Sequence, residues 1–86
     1  MYDISKNTYN IAKLNNLDIY PSTRKNKKID IYLSGKYLGS IGDSRYKDYY
    51  MYLKEDKALA NERRRLYHAR HTGDTFKERA AKLLLW

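Results

Sequence analysis

The chain has 86 residues, a formal net charge of +8 and charged side chains at a third of its positions. A chain this short forms at most one domain with a small core. It contains no cysteine, which excludes disulfides and zinc sites built on thiolates. No apolar run is long enough to cross a membrane, and no signal-peptide core follows Met1. We therefore expect a protein that is not secreted.

The N-terminal segment, residues 1–16, is predicted to be an arm or a helix. Its apolar residues have helix-compatible spacing, Asp3 or Ser5 is a candidate N-cap, and the Asn-Asn pair at its end favours termination. The next four residues then predict a short strand that Pro21 ends, because proline cannot donate to a sheet.

A β-hairpin is the clearest structural pattern in the chain. Within residues 29–41, two segments of alternating polarity flank a two-residue Ser-Gly turn. Pairing across that turn places Tyr32 opposite Tyr37 and Ile31 opposite Leu38. One face is then aliphatic and points inward, while the other carries an accessible tyrosine pair. The glycines of the second strand allow a bulge.

The C-terminal half predicts helices. Asp48 is a plausible cap for a short helical turn, and residues 54–71 lack Gly and Pro, which favours a long helix. Gly73 is expected to end that helix in the left-handed conformation. A Thr-x-x-Glu capping box at residues 75–78 then opens a helix that runs to Trp86.

These elements predict an α+β fold. It consists of a small antiparallel β-hairpin or three-stranded sheet packed by two C-terminal helices. We expect residues 17–86 to form a single α+β domain, preceded by the N-terminal arm or helix of residues 1–16.

A first basic cluster lies just before the hairpin. Flexible cations on a loop can follow a phosphate backbone, and each contact releases a counterion. A solvated run of charge is an equally good interpretation. The cluster consists of Arg24, Lys25, Lys27 and Lys28.

A second basic cluster lies on the long predicted helix. Three consecutive arginines, residues 63–65, point in directions about 100° apart, so at most two can face one ligand. One of them is expected to pair with an acid such as Glu62. Arg64, His68 and His71 share a face, whereas Arg63 and Arg70 are expected to bury their stems. The candidate phosphate contacts here are Arg64 and Arg65, with His68 and His71 secondary.

Ten tyrosines supply much of the apolar content. Tyr32 and Tyr37 are the better candidates for stacking on bases, because they share the outer hairpin face. The four tyrosines of residues 46–52 are expected to complete a thin core or an interface between subunits.

Nothing in the chain predicts catalysis. His68 and His71 have a spacing that can share a metal ion, but no wider zinc signature accompanies them. Asp43 and Asp48 favour turn and cap roles over acid–base work. We therefore expect no enzyme activity, no metal and no cofactor. A membrane is not expected as a partner, because no helix combines a broad apolar face with a basic one.

Several segments in chain order resemble a known group of sequences. They are residues 21–28, a Gly-Lys hairpin, and residues 41–49, 62–71 and 84–86. The most specific are a Tyr-x-Asp-Tyr element and an Arg-Arg-x-x-Tyr-x-x-Arg-His element. Together they resemble short, basic, uncharacterised proteins encoded by large double-stranded DNA phages and giant viruses. The segment 1–16 has no counterpart in that pattern, and the linker at 72–76 is shorter than expected.

The resemblance implies a viral setting but no particular activity, so the localisation we expect is a virion or the host cytoplasm. The leading hypothesis is a virus-encoded, non-enzymatic basic module that binds nucleic acid through phosphates, in the first place double-stranded DNA with weak sequence preference. The alternative is a structural virion protein. On that hypothesis its tyrosines and Leu-rich C-terminal tail dock on a capsid, a portal or a second copy of the chain, and it forms a homo-oligomer.

Overall fold

The computed structural model describes every residue from Met1 to Trp86. Residue contacts divide the chain into two units, Met1–Arg45 and Tyr46–Trp86. The first unit contains α1 (Lys6–Leu14), β1 (Asp18–Pro21), β2 (Lys27–Leu33) and β3 (Lys36–Asp43). The second contains α2 (Tyr49–Leu53), α3 (Lys57–Arg70) and α4 (Phe76–Leu84). The predicted α+β class is confirmed, and of its two versions the three-stranded antiparallel sheet is the one that forms, in the order β1–β2–β3.

Helix α1 forms within the predicted N-terminal segment. Of the two candidate caps, Ser5 is the one used, and its Oγ accepts a hydrogen bond from the Thr8 amide at 3.1 Å. The helix ends at Leu14 with Asn15 as its C-cap, and Asn16 turns the chain with a φ of 58°. Asparagine tolerates that left-handed conformation better than most residues. Helix α1 contacts β1, which makes it part of the first unit.

The sheet buries one face through isoleucine. Ile19 pairs with Ile31 and Ile29 pairs with Ile41, so the four side chains lie on the same face. All four are buried, which gives the first unit an aliphatic core. Pro21 is the last residue of β1, as its missing N–H requires of a strand end.

The hairpin turn forms as predicted, but the register beyond it differs. Ser34 and Gly35 have φ values of 50° and 82°, which suit the two-residue turns that match strand twist. Tyr32 pairs with Tyr37, as predicted. The predicted pairing of Ile31 with Leu38 is wrong, because a bulge inserts Leu38 and Ile31 pairs with Gly39.

The caps of the second unit set its helix boundaries. Asp48 caps α2 by accepting from the Met51 amide at 3.0 Å, as predicted. The long helix begins at Lys57, later than predicted, because the Asp56 carboxylate caps it through the Ala58 amide at 2.9 Å. The predicted capping box opens α4, where Thr75 Oγ1 accepts from the Glu78 amide.

The C-terminal ends of both long helices differ from the prediction. Helix α3 ends at Arg70, and His71 follows with a φ of −102° and an amide bonded to the Tyr67 carbonyl. Gly73 does not adopt the expected left-handed conformation, since the bond to Tyr67 already satisfies a carbonyl of the last turn. Helix α4 ends at Leu84, two residues before Trp86. None of the helices is long and apolar enough to cross a membrane.

Candidate nucleic-acid interface

The basic loop, residues 22–28, is fixed by hydrogen bonds of its own. Ser22 Oγ accepts from the Arg24 amide at 3.0 Å, and the Lys27 amide donates to the Arg24 carbonyl at 3.2 Å. The Ser22 amide donates to the Lys28 carbonyl at 2.9 Å and closes the loop at its base. These contacts define where the loop cations project, so a ligand need not order the backbone.

Three of the four predicted loop cations are exposed. Arg24, Lys25 and Lys27 all face solvent, and neither lysine forms an ion pair. Lys28 is different, because it is only 2% exposed and its ammonium lies 5.2 Å from the centre of the Tyr2 ring. Lys28 shares a face of β2 with Asp30 and Tyr32 but is buried there, so the expectation that it contacts phosphate requires a side chain that this structure buries.

The sheet face opposite the isoleucines carries a row of tyrosines, which we call the tyrosine face. Tyr20, Tyr32 and Tyr37 lie on β1, β2 and β3. The Tyr20 and Tyr32 ring centres are 5.6 Å apart and those of Tyr32 and Tyr37 are 5.5 Å apart, both edge to face. Tyr20 is 55% exposed and Tyr37 is 41% exposed. The predicted tyrosine pair is therefore a row of three that crosses the whole sheet.

A chain of hydrogen bonds ties the basic loop to the tyrosine face. Arg24 Nη1 donates to Tyr37 Oη at 3.0 Å, Tyr37 Oη lies 2.6 Å from Ser40 Oγ, and Ser40 Oγ donates to Asp30 Oδ1 at 2.5 Å. Because Ser40 gives its only proton to Asp30, Tyr37 must be the donor to Ser40. All bonds then run in one direction, from the guanidinium to the carboxylate.

The charges at the two ends of this chain set its pKa values. Burial disfavours the ionised form of Asp30, but hydrogen bonds from Ser40, Ser22 and the Thr23 amide outweigh it and lower its pKa. Hydrogen bonding with Ser40 and with Arg24 lowers the pKa of Tyr37, and the contact with Tyr37 raises that of Arg24. Arg24 therefore stays cationic beside the ring of Tyr37.

A further ion pair lies next to the end of the loop. Asp43 pairs with Lys27 in the sheet register and forms a salt bridge with Arg45 at 2.7 Å. Hydrogen bonds from the Arg45 side chain and amide lower the pKa of Asp43 to about 2. Asp43 therefore acts as a turn residue that neutralises Arg45, as its predicted turn role implies, and the charge of Lys27 makes a smaller contribution to the same lowering of its pKa.

In the second unit, the arginines of α3 divide between partners. Arg65 forms a salt bridge with Glu62 at 2.6 Å, which is the predicted pairing of one arginine with that acid. The Arg64 guanidinium lies 4.7 Å from the centre of the Tyr49 ring, and that of Arg63 lies 5.7 Å from the centre of the Tyr52 ring. All three remain exposed, so the expected burial of the Arg63 stem is wrong, and so is that of Arg70, which is also exposed.

One of the two histidines, His71, belongs to an aromatic stack with Tyr67 and Trp86, and His68 lies beside it. Tyr67 stacks on Trp86 with ring centres 4.5 Å apart and on His71 at 4.1 Å. His68 Nε2 lies 3.1 Å from the Trp86 carbonyl oxygen. His68 thus ties the end of the chain to α3 and His71 packs on Tyr67, so their predicted phosphate contacts would compete with these interactions. Burial raises the pKa of Tyr67, as does the nearby charge of Glu78.

The predicted site residues therefore fall into two groups on separate units. The basic loop and the tyrosine face bring together Arg24, Lys25, Lys27, Tyr32 and Tyr37, whereas α3 carries Arg64, Arg65, His68 and His71. Sequence reasoning missed Tyr20. The signal was available, because alternation in β1 puts Tyr20 on the face opposite Ile19, and antiparallel pairing with β2 then aligns it with the other two rings.

No group of three or more His, Asp or Glu side chains is placed to hold a metal ion. Comparison with protein-family models, curated proteins and solved structures gives no match for this chain.

Proposed function

We propose that this protein is a non-enzymatic basic module that binds nucleic acid mainly through phosphates, with weak sequence preference. Arg24, Lys25 and Lys27 supply the principal contacts, and Arg64 and Arg65 on α3 add further positive charge. The resemblance to phage and giant-virus sequences supports a virus-encoded protein that accompanies the genome or the virion.

The observation that carries this proposal is the combination of exposed cations and aromatic rings on one unit. The basic loop holds three exposed cations in a fixed backbone, and Arg24 bonds directly to the tyrosine face. Proteins that bind nucleic acid without reading sequence combine a positive surface with rings on which bases stack. Residues 1–45 hold eight Lys or Arg against four Asp or Glu, so the unit as a whole attracts a polyanion.

The test is a fluorescence titration of the whole protein against random duplex DNA over a range of salt concentrations. We expect affinity to fall steeply as salt rises, because phosphate contacts release counterions. The variant R24Q/K25Q/K27Q should bind more weakly. It should also lower the slope of log K against log salt by roughly 0.9 for each phosphate that the removed cations neutralise in the natural protein.

The matched control is K54Q/K57Q/K77Q, which removes the same charge from exposed lysines of the second unit. Relative to the natural protein, its slope of log K against log salt should change much less than the slope of the loop variant. Binding that is absent at low salt would overturn the proposal, and equal effects of the two variants would mean that the loop has no special part.

The alternative of a virion protein that docks through its tail finds less support. Leu84 and Leu85 are 0% and 1% exposed, so these two side chains are not available to a capsid or portal. Trp86 is engaged with Tyr67, which leaves Leu83 as the exposed leucine of the tail. Solution mass distinguishes the two functions, because the alternative requires a stable higher-order assembly without nucleic acid.

A further inference from the structure

We infer that the tyrosine face binds unpaired nucleotides, and hence that single-stranded nucleic acid is the preferred ligand of this protein. The inference rests on the proposed function and deepens it by naming the form of nucleic acid. It concerns the rings of Tyr20, Tyr32 and Tyr37. These rings would have no role in a ligand complex held by phosphate contacts alone.

The geometry of the row suits stacking from outside. Tyr32 is held edge to face by both neighbours, so the rings form a fixed platform with the more exposed rings at its two ends. A base can stack on such a ring only when it is free of its own duplex, because paired bases cover each other's faces. Stacking on aromatic side chains tolerates every base, since each has a π-face.

A groove continues from the edge of this platform. It lies between α1 and β1, has a volume of about 620 Å³ and is open to solvent. Tyr20 lines the groove as well as ending the tyrosine row, and Tyr9 contributes a second ring. A volume within the usual range of small-molecule sites, roughly 300–1,000 Å³, leaves room for a nucleotide.

The polar lining of the groove matches the chemistry of a nucleotide. Asn10 and Asn16 supply amides that can both donate and accept hydrogen bonds to the edge of an unpaired base. Lys13 lines the groove and is exposed, so its ammonium is available to a phosphate. Asp18 also lines it, and its carboxylate repels a phosphate at that point, which leaves Lys13 as the phosphate contact of the groove.

Cations therefore border the tyrosine face on two sides. Arg24 is fixed beside Tyr37 by a hydrogen bond, and Lys13 lies in the groove beyond Tyr20. A single strand that crosses the sheet can place phosphates near these cations and bases on the rings between them. Duplex DNA can reach the same cations but gains nothing from the rings.

The experiment compares three labelled ligands of equal length at one low salt concentration. They are a mixed-sequence single strand, an abasic strand with the same number of phosphates, and a duplex. We expect the strand with bases to bind at least about fivefold more tightly than the abasic strand, which is the lower end of what stacking of one base contributes.

Two variants locate the effect. Tyr20→Ala should abolish most of the preference for bases while leaving abasic binding unchanged, and Tyr20→Phe should retain it because the ring remains. Tyr46→Ala is the control, since Tyr46 is an exposed tyrosine of the second unit. A circular dichroism spectrum verifies that each variant is folded.

The outcomes separate the inference from the proposed function. Equal affinity for the strands with and without bases would overturn the inference and leave the phosphate-binding function standing. A loss in Tyr46→Ala as large as that in Tyr20→Ala would also overturn it. Failure of all three ligands to bind at low salt would overturn both.

Discussion

The two units use tyrosine in opposite ways. On the tyrosine face, Tyr37 is exposed and its hydroxyl is bonded to Arg24 and Ser40. In the aromatic stack, Tyr67 lies nearly parallel to Trp86 at an interplanar angle of 7° and is half-buried. The pKa of Tyr37 is lowered by its hydrogen bonds, whereas that of Tyr67 is raised by burial. The same residue type is therefore an exposed, hydrogen-bonded group in one unit and a packing group in the other.

The neighbours of each ring explain the difference. The sheet of the first unit has an aliphatic core on its isoleucine face, so its tyrosines are not needed to fill that core. The second unit has few large aliphatic side chains on α3, where Ala60 is the only buried residue. Its rings must then supply the apolar contact that fixes the end of the chain. We therefore expect separate effects on stability and on binding.

The largest effect on stability is expected in the aromatic stack. Trp86→Ala removes the ring that stacks on Tyr67, and we expect it to lower the free energy of unfolding by about 2 kcal/mol, less than for a fully buried tryptophan. Tyr20→Ala, at an exposed ring, should cost about 0.5 kcal/mol. Urea denaturation followed by circular dichroism measures both. Equal losses would contradict the division between the units.

A smaller effect is expected from the hydroxyl of Tyr37. Tyr37→Phe keeps the ring but removes the link between Arg24 and Ser40, and we expect a loss of about 1 kcal/mol. The control is Tyr20→Phe, because the Tyr20 hydroxyl makes no hydrogen bond in the structure. Urea denaturation of the two variants should separate them clearly. A Tyr37→Phe protein as stable as the control would mean that the chain of hydrogen bonds contributes nothing.

The ionisation of the two tyrosines should follow the same division. Tyr37 should lose its proton at lower pH than Tyr67, which absorbance near 295 nm in Tyr37→Phe and Tyr67→Phe proteins can assign. Because its folded pKa is lowered, ionisation of Tyr37 favours the folded state as pH rises through that pKa. The pKa of Tyr67 is raised in the folded state, so its neutral form stabilises the fold. This stabilisation is complete below the pKa of the unfolded state and is lost as pH rises through the pKa of the folded state. The reverse order of ionisation would contradict the account.

The smallest effect is expected at Asp18, which pairs with Tyr32 in the sheet and lines the groove. Asp18→Asn removes a negative charge near the proposed strand and should tighten binding of a single strand about twofold, as for an exposed charge. Asp74→Asn is the control, because it makes the same change of charge in the second unit. Tightening of equal size in both proteins would indicate a net-charge effect without a local site.

Local sequence signals accounted for much of the fold. Caps and turns are fixed by neighbouring residues, which is why Asp48 and the Ser-Gly turn were predicted correctly and Ser5 was one of the two candidates for the first cap. The bulge at Leu38 was not predicted, because it depends on how β3 pairs with β2 and not on the sequence of β3 alone. The long helix begins later than predicted because the Asp56 carboxylate accepts hydrogen bonds from its first amides. Composition alone does not decide which of several possible residues caps a helix.

The candidate site was predicted only in part, for a physical reason. A charge run indicates cations but not their surroundings, so Lys28 could not be separated from Lys25 before its contact with the distant Tyr2 ring was known. Tyr20 was missed because its place in the row depends on the pairing of β1 with β2. The stack of Tyr67 on Trp86 joins residues far apart in the chain, and no local pattern encodes such a contact.

The measurement that tests the central claim most directly is an amide chemical-shift map of the isotope-labelled protein as a short single-stranded oligonucleotide is added at low salt. Our account predicts the largest shifts at Tyr20, the basic loop, Tyr32 and Tyr37, with saturation at a defined ratio of strand to protein. Shifts confined to α3 and the aromatic stack, or no shifts at all, would contradict it.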